Sequence, residues 1–323
     1  MRQGAVASPI FFANYLDEIF TILKDSGYGC WIGPYFYGIE GYADDLALLS
    51  PDRHGLQKML DICKEYFDKL KITVSTNIDL KKSKTKCMAF GIKTELAPIT
   101  LKGTNLPWWE ESWPHLGHMF NMDQSPHHDL LKKRAAFIGK IHSFRQEFGN
   151  IDPIVYTKLV SIYLSSFYGS NLWDLYDNTT DKLFKTWNIM IRMTFNIPRN
   201  SHKFLIEPIS QDSHLKIKLV KRFINFAKAL SNCSKPHIKY LHNIQQFDYR
   251  SVYGRNCRNI SAESEVETIL EASHLDICYE KVPPHEEYRI SLIQELLDMR
   301  LGKLLSELTK GEISSMLETL CTD

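Results

Sequence analysis

Apolar and polar residues follow two different periods along the first 120 residues. Residues 8–24 and 53–71 carry apolar side chains at helical spacing, which predicts two amphipathic helices. Between them, residues 38–50 hold two runs of strand-forming residues on either side of an adjacent acidic pair. That arrangement predicts a β-hairpin with the acidic pair at its turn. A short strand at 86–90 and a short β segment around residues 116–117 are predicted to follow.

Beyond residue 122 the pattern is helical. Four helices are predicted at about 125–148, 153–170, 180–196 and 215–230, and three shorter ones from residue 262 onward. Strands near the start and helices afterwards predict an α+β fold. We place domain boundaries at 1–122, 123–200 and 201–323, the last being acidic from about residue 261.

The net charge of +1 hides an uneven distribution of charge along the 323 residues. Residues 261–323 hold 5 Lys or Arg against 14 Asp or Glu, whereas the first 260 residues hold 34 against 24. A basic body followed by an acidic region fits a body that binds nucleic acid and a separate helical appendage.

The seven cysteines are odd in number and lack paired spacing, so free thiols in a reducing compartment are expected. The apolar stretch near the start is interrupted early by polar residues, and no run approaches the length of a membrane span. These features predict an intracellular protein, nuclear or cytoplasmic, that is neither secreted nor in the membrane.

The acidic pair, Asp44 and Asp45, carries the clearest chemistry in the chain. Two neighbouring carboxylates repel each other, and a divalent cation between them removes that repulsion. Magnesium takes oxygen ligands and usually few protein carboxylates, with phosphates and waters as its other ligands. The pair therefore suits two-metal phosphoryl transfer. The alternative interpretation is a solvated surface turn, since Asp is a common turn residue.

The chain resembles the reverse transcriptases of non-LTR (LINE-type) retrotransposons in about its first 200 residues. Five segments carry the resemblance in the family's order: Arg-Gln-Gly and Ser-Pro within 2–12, Tyr-Ala-Asp-Asp at 42–45, Lys-Ser-Lys-Thr-Lys-Cys-Met at 82–88, His-Leu-Gly-His at 115–118, and Phe-Tyr-Gly-Ser-Asn-Leu-Trp at 167–173. The resemblance implies a partial right-hand polymerase palm over 1–122, a helical thumb over 123–200 and a helical C-terminal extension.

The resemblance also implies roles for individual residues. Asp44 and Asp45 would be the catalytic magnesium ligands, with Asp44 bridging the metals. Tyr42 would contact the primer end. The other implied substrate-binding positions are Ala43 beside it, Gln3 and Gly4 on the template side, and Leu116 and Gly117 on the primer backbone. The implied partners are an RNA template, a DNA primer and deoxynucleoside triphosphates.

Two classes of function stay open at this point. In the family, the fingers and a first palm strand with a third catalytic aspartate precede the Arg-Gln-Gly motif, so the resemblance is to the C-terminal part of a polymerase. The chain is then either part of a reverse transcriptase or a catalytically inactive remnant that at most binds nucleic acid.

The lysines and tryptophans have alternative interpretations of their own. Lys82, Lys84 and Lys86 either form a solvated strand edge or include a group that contacts the triphosphate or protonates the pyrophosphate leaving group. Motif position favours Lys84 for that role. Three tryptophans at 108, 109 and 113 either stack on nucleotides or pack under the sheet. Phosphate contacts are predicted at Lys132, Lys133, Lys140, Lys216, Lys218, Lys221 and Arg222.

Overall fold

The computed structural model describes residues 8–75, 84–91, 96–106, 108–109, 112–123, 125–201 and 206–274. Strands in this part of the chain form four antiparallel hairpins: β1 (Trp31–Ile32) with β2 (Tyr35–Phe36), β3 (Ile39–Tyr42) with β4 (Asp45–Leu48), β5 (Ile99–Leu101) with β6 (Thr104–Leu106), and β7 (Trp113–His115) with β8 (His118–Phe120). The mixture of helices and hairpins agrees with the predicted α+β class.

Helices make up most of the described residues. They are α1 (Ser8–Asp25), α2 (Arg53–Lys69), α3 (His127–Phe148), α4 (Pro153–Leu159), α5 (Asn178–Thr194), α6 (Ile206–Ser210), α7 (Leu215–Ser231), α8 (Pro236–Gln245) and α9 (Val252–His274). Within the described ranges, no helix is both long enough and apolar enough to cross a bilayer. The helices predicted beyond residue 274 lie outside those ranges.

The described residues group into two compact units that are interleaved along the chain. The first unit holds the chain up to Arg134, together with Tyr168–Asp174 and Arg222–Arg255. The second unit holds Ala135–Phe167, Leu175–Lys221 and the residues that follow Asn256. The domain boundaries placed at residues 122 and 200 stay predictions.

Helices α1 and α2 form the main core of the first unit. Leu16, Ile19 and Leu23 line one face of α1, at the spacing of a single helical stripe, and are buried against α2. Helix α2 begins where Asp52 Oδ1 accepts a hydrogen bond from the Gly55 amide at 2.7 Å. This apolar layer supports the β3–β4 hairpin.

A second, smaller core cluster lies under the β5–β6 hairpin. Ile99, Leu101 and Leu106 are buried there, together with Cys87. The strand predicted at 86–90 is wrong, because Cys87 forms only a single bridge, to Trp108, within the described residues.

The five described cysteines are free thiols, as expected. Two of them are buried in the cores of the first unit. Burial raises the pKa of Cys63 to about 12 and that of Cys87 to about 11, so both thiols stay protonated at neutral pH.

The second unit packs its helices around large aromatic side chains. The rings of Phe137 and Trp187 stack with centroids 6.1 Å apart, and both side chains are buried. The helix predicted over 153–170 is shorter than expected: α4 ends at Leu159 and continues as one π-helical turn to Leu164. The helix does not extend to residue 170 as predicted, because Phe167 adopts a positive φ of 36°, which is incompatible with a right-handed helix.

Candidate active site

The β3–β4 hairpin confirms the predicted hairpin, but its turn lies one residue earlier than predicted. Tyr42 and Asp45 pair directly across the two strands, and Ala43 and Asp44 form the two-residue turn between them. Ala43 has φ 53°, in the left-handed region that tight hairpin turns require. Asp44 thus lies in the turn itself, and Asp45 is the first residue of the returning strand.

The two faces of this hairpin have different surroundings. Ile39, Leu46 and Leu48 belong to the face that packs on the main core. Gly41 lies on this inner face, where a Cβ would come within 2.8 Å of the Phe20 ring, so a larger side chain would push the hairpin off α1. Strand alternation therefore sends Asp45 to the opposite, solvent-facing side.

Both carboxylates are exposed and available. In the described part of the chain, the Asp44 and Asp45 carboxylates have no hydrogen bond and no ion pair. Glu40 lies two residues before Tyr42 on β3 and therefore on the same outer face, where it pairs with Ala47. Within the described residues, no three His, Cys, Asp or Glu side chains come together as a possible metal site. The hairpin alone thus presents two carboxylate ligands.

A second tight turn joins β7 to β8. Leu116 and Gly117 are its central residues, with φ values of 47° and 78°, the double left-handed pattern of a type I′ turn. This confirms the β segment predicted there. The Leu116 side chain is exposed, which leaves the tip of the hairpin accessible to a ligand.

Both hairpins lie in one continuous stretch that corresponds to a known family. Residues 1–120 match the reverse transcriptase (RNA-dependent DNA polymerase) family. Comparison with the curated proteins gives no match. The match includes the acidic hairpin, the Leu116–Gly117 turn and the lysine-bearing segment between them. Residues 1–120 are called the reverse transcriptase segment below.

Of the other predicted site residues in the reverse transcriptase segment, the structure describes only some. Lys84 is exposed, and no contact within the described residues links it to Asp44 or Asp45. Gln3, Gly4 and Lys82 lie outside the described residues. The structure thus assembles Tyr42, Asp44 and Asp45 but does not bring Lys84 to them.

The tryptophans near the end of the reverse transcriptase segment are packed. Trp108 contacts the smaller core cluster, and its Nε1 donates a hydrogen bond to the Ala97 carbonyl at 3.0 Å. Lys86 Nζ lies 3.6 Å from the centroid of the Trp109 ring and 4.8 Å from that of Trp113. The packing alternative is confirmed for Trp108, and Lys86 covers the other two rings.

A segment after the reverse transcriptase match supports the Leu116–Gly117 turn. The Tyr168 ring lies against Gly117, where a Cβ would be 3.0 Å from its Cε1, and against His118, with ring centroids 5.4 Å apart. Gly169 has φ 76°, and a Cβ there would overlap the His118 ring. Burial, followed by the nearby Lys133 charge, lowers the pKa of His118, which favours the neutral ring.

Asp129 is a buried carboxylate that accepts hydrogen bonds from several of these elements. Its side chain is 4 % exposed and accepts hydrogen bonds from the Met119 amide at 3.2 Å, Trp173 Nε1 at 2.7 Å and Lys133 Nζ at 2.9 Å. It therefore ties β8, α3 and the 168–174 segment together. The sequence did not single out Asp129. The only signal was an Asp in the first turn of α3 with a Lys four residues later.

The predicted phosphate-contacting residues differ in burial and in whether their charges already have partners. Some already have partners: Lys133 with Asp129 and the Tyr168 carbonyl, Lys216 with Glu263 at 2.6 Å, and Lys218 with Asp212 at 2.5 Å. Arg222 is partly buried, which lowers its pKa. Lys132, Lys140 and Lys221 are exposed, and Lys132 Nζ lies 3.4 Å from Met119 Sδ.

Gly169→Ala is expected to lower the free energy of unfolding by about 1–3 kcal/mol, because an L side chain is strained at this φ and would collide with His118. Urea denaturation measures the change. Gly139→Ala is the matched control: a Cβ there meets nothing within 4 Å, and α3 should gain about 0.5–1 kcal/mol. Equal effects of the two substitutions would contradict the packing of Gly169 on His118.

Proposed function

We propose that this chain carries the metal-binding hairpin and the primer-contacting hairpin of an RNA-directed DNA polymerase, a reverse transcriptase of a non-LTR retrotransposon. One observation carries the proposal. Within the reverse transcriptase segment, a tight hairpin places Asp44 in its turn and Asp45 at the start of the returning strand, and both carboxylates are exposed and without a partner among the described residues. In the same proposal, 1–122 is a partial palm, 123–200 a thumb and 201–323 a helical extension.

Magnesium fits the ligands that the hairpin offers. Asp44 and Asp45 are hard oxygen donors, and magnesium commonly binds one or two protein carboxylates plus substrate phosphates. Their exposure leaves room for those phosphates and for waters. When bound, magnesium supplies positive charge that stabilises the phosphoryl oxygens as the leaving group departs.

The protein residues themselves would bind and orient the reactants. The reaction is attack of a primer 3′-hydroxyl on the α-phosphate of a deoxynucleoside triphosphate. Tyr42, opposite Asp45 and exposed, lies beside the acidic turn, where it would contact the primer end next to Ala43. Lys84, with an exposed ammonium, would protonate the departing pyrophosphate.

The primer and template would be held by backbone contacts in two places. The exposed turn at Leu116 and Gly117 would contact the primer backbone. Gln3 and Gly4 would face the template. Exposed Lys132, Lys140 and Lys221 would contact phosphates without reading sequence.

Binding to a primer–template is expected to weaken as salt rises, because its main contacts are lysines to phosphates. Each of Lys132→Ala, Lys140→Ala and Lys221→Ala should reduce the slope of log K against log salt by about 0.9 if one phosphate contact is lost. Fluorescence anisotropy across salt concentrations measures the slope.

Lys185→Ala provides the control for that series. Lys185 is an exposed lysine outside the predicted set, in an ion pair with Asp181, so its loss should leave the slope unchanged. Absence of binding at low salt, or a slope insensitive to all three substitutions, would contradict the phosphate contacts.

A second function is favoured by the ligand count. The described residues bring only two carboxylates to the hairpin tip, and two-metal sites need more oxygen ligands to hold both ions. A chain that retains the hairpins without a third carboxylate would be a catalytically inactive protein that binds nucleic acid. Primer extension on an RNA template, with Asp44→Asn as the decisive variant, separates the two functions.

A further inference from the structure

A cavity of about 320 Å³ lies beside the β7–β8 hairpin in the first unit. Its rim carries two large aromatic side chains, Phe90 and Phe120, which are 39 % and 40 % exposed. Leu172 adds an exposed aliphatic side chain. Exposed aromatic rings around an open cavity form a surface on which a flat ring can stack.

The floor of the cavity holds a buried polar group that lacks a partner. Asn121 is 7 % exposed and lines the cavity, and its Nδ2 has no hydrogen-bond partner within the described ranges. A buried amide donor left unsatisfied is costly and rare in folded proteins. A ligand with an acceptor atom at its edge would remove that cost.

The other polar groups of the floor are already engaged. Asp129 accepts three hydrogen bonds, and Trp173 Nε1 donates to it. The Lys133 ammonium is bound to the same carboxylate, and the Lys132 ammonium lies 3.4 Å from Met119 Sδ. The residues that line the cavity include no lysine or arginine, and they include the Asp129 carboxylate, so the lining suits a neutral ring better than a phosphate.

We propose that this cavity binds a nucleobase, which stacks between Phe90 and Phe120 and accepts a hydrogen bond from Asn121 Nδ2. A nucleobase combines a flat aromatic face with ring carbonyl and nitrogen acceptors at its edge, which matches the rim and the floor together. A cavity of this size lies within the range of small-ligand pockets.

The nucleobase has two sources that share this chemistry. It is either a free nucleoside or an unstacked base of a single strand that follows the adjacent Leu116–Gly117 turn. None of the lining residues belongs to the acidic hairpin, so the site stands apart from the proposed catalysis. Nucleobase binding in EDTA tests it without any contribution from metal.

Equilibrium binding to the full chain in EDTA distinguishes these sources. The nucleoside probes are adenosine, guanosine, cytidine and thymidine. The strand probe is a fluorescent single-stranded oligonucleotide in which abasic sites flank one base, and ribose 5-phosphate is the probe without a base. Nucleosides that compete with the oligonucleotide identify a free ligand. Oligonucleotide binding without nucleoside binding identifies a base of a strand, provided the variants below weaken it.

Two variants test the assigned contacts. Asn121→Leu should weaken nucleobase binding about tenfold, and its melting temperature should stay the same or rise, because it removes an unsatisfied buried amide. Phe120→Ala should weaken binding about tenfold through lost stacking. Asn105→Leu, at an exposed position of β6, is the matched control and should bind as the unmodified chain does.

Three results would overturn the proposal. The first is that neither nucleosides nor the oligonucleotide bind. The second is that they bind with an affinity unchanged by both Asn121→Leu and Phe120→Ala. The third is that ribose 5-phosphate binds as tightly as the nucleosides. Because the assay contains no metal and Asp44→Asn should not affect it, failure here is distinct from failure of primer extension.

Discussion

Asp44→Asn is expected to lower the rate of primer extension at least about 10³-fold. The rate is that of a polypeptide in which residues 1–323 are joined to the fingers and first palm strand of a related element. The substitution keeps the size of the turn residue but removes a charged metal ligand, and electrostatic stabilisation supplies much of the barrier lowering in such reactions. The hairpin itself should persist, since Asn also favours tight turns. Extension of a labelled DNA primer on an RNA template measures the rate.

The polypeptide 1–323 alone should give no detectable product, because its described residues assemble no third carboxylate at the hairpin. Asp181→Asn is the control for charge, since Asp181 is an exposed residue of α5 in an ion pair with Lys185. It should leave the rate of the joined polypeptide unchanged. Robust synthesis by the bare polypeptide would refute the site, and inactivity of every joined polypeptide would favour the nucleic-acid-binding alternative.

Asp129→Ala is expected to lower the free energy of unfolding by about 3–5 kcal/mol. The substitution leaves the Lys133 ammonium and Trp173 Nε1 without their shared acceptor in a largely buried position, and breaking a buried pair from one side is far more costly than losing a surface pair. Urea denaturation, followed by tryptophan fluorescence, measures the change because Trp173 is itself buried against the carboxylate.

Asp181→Ala gives the matched comparison for a surface pair. Its partner Lys185 is exposed, so the loss should be at most about 1 kcal/mol. If Asp129→Ala proved as mild as Asp181→Ala, the proposed role of Asp129 in joining β8, α3 and the 168–174 segment would be wrong.

Local sequence signals predicted the two hairpins well. Two runs of strand-forming residues flank the acidic pair within residues 38–50, and this local pattern was enough to predict the hairpin. Likewise, glycine at position 117 supplies one of the two left-handed residues that a type I′ turn demands. Both features depend on neighbours within a few residues.

Features that depend on distant partners were not predictable in this way. In the sequence, Asp129 resembles an ordinary carboxylate in the first turn of a helix. Its hydrogen bond from Trp173 Nε1, 44 residues later, is visible only in the structure. Lys133 was predicted to be a phosphate contact because charge alone does not show that Asp129 and the Tyr168 carbonyl already bind it. The helix likewise stops short of the predicted residue 170, since Phe167 and Gly169 are left-handed and Gly169 lies against the distant His118.

The interleaving of the two units has a consequence for how this protein emerges from the ribosome. Tyr37 in the first unit donates a hydrogen bond to the carbonyl of His237, which is translated 200 residues later. At typical elongation rates of about 5–20 residues per second, the nascent acidic hairpin would wait roughly 10–40 seconds for this partner. During that interval the exposed apolar surface of the unfinished unit is a substrate for chaperones, and a ribosome that stalls before residue 255 would release a chain unable to complete its first unit.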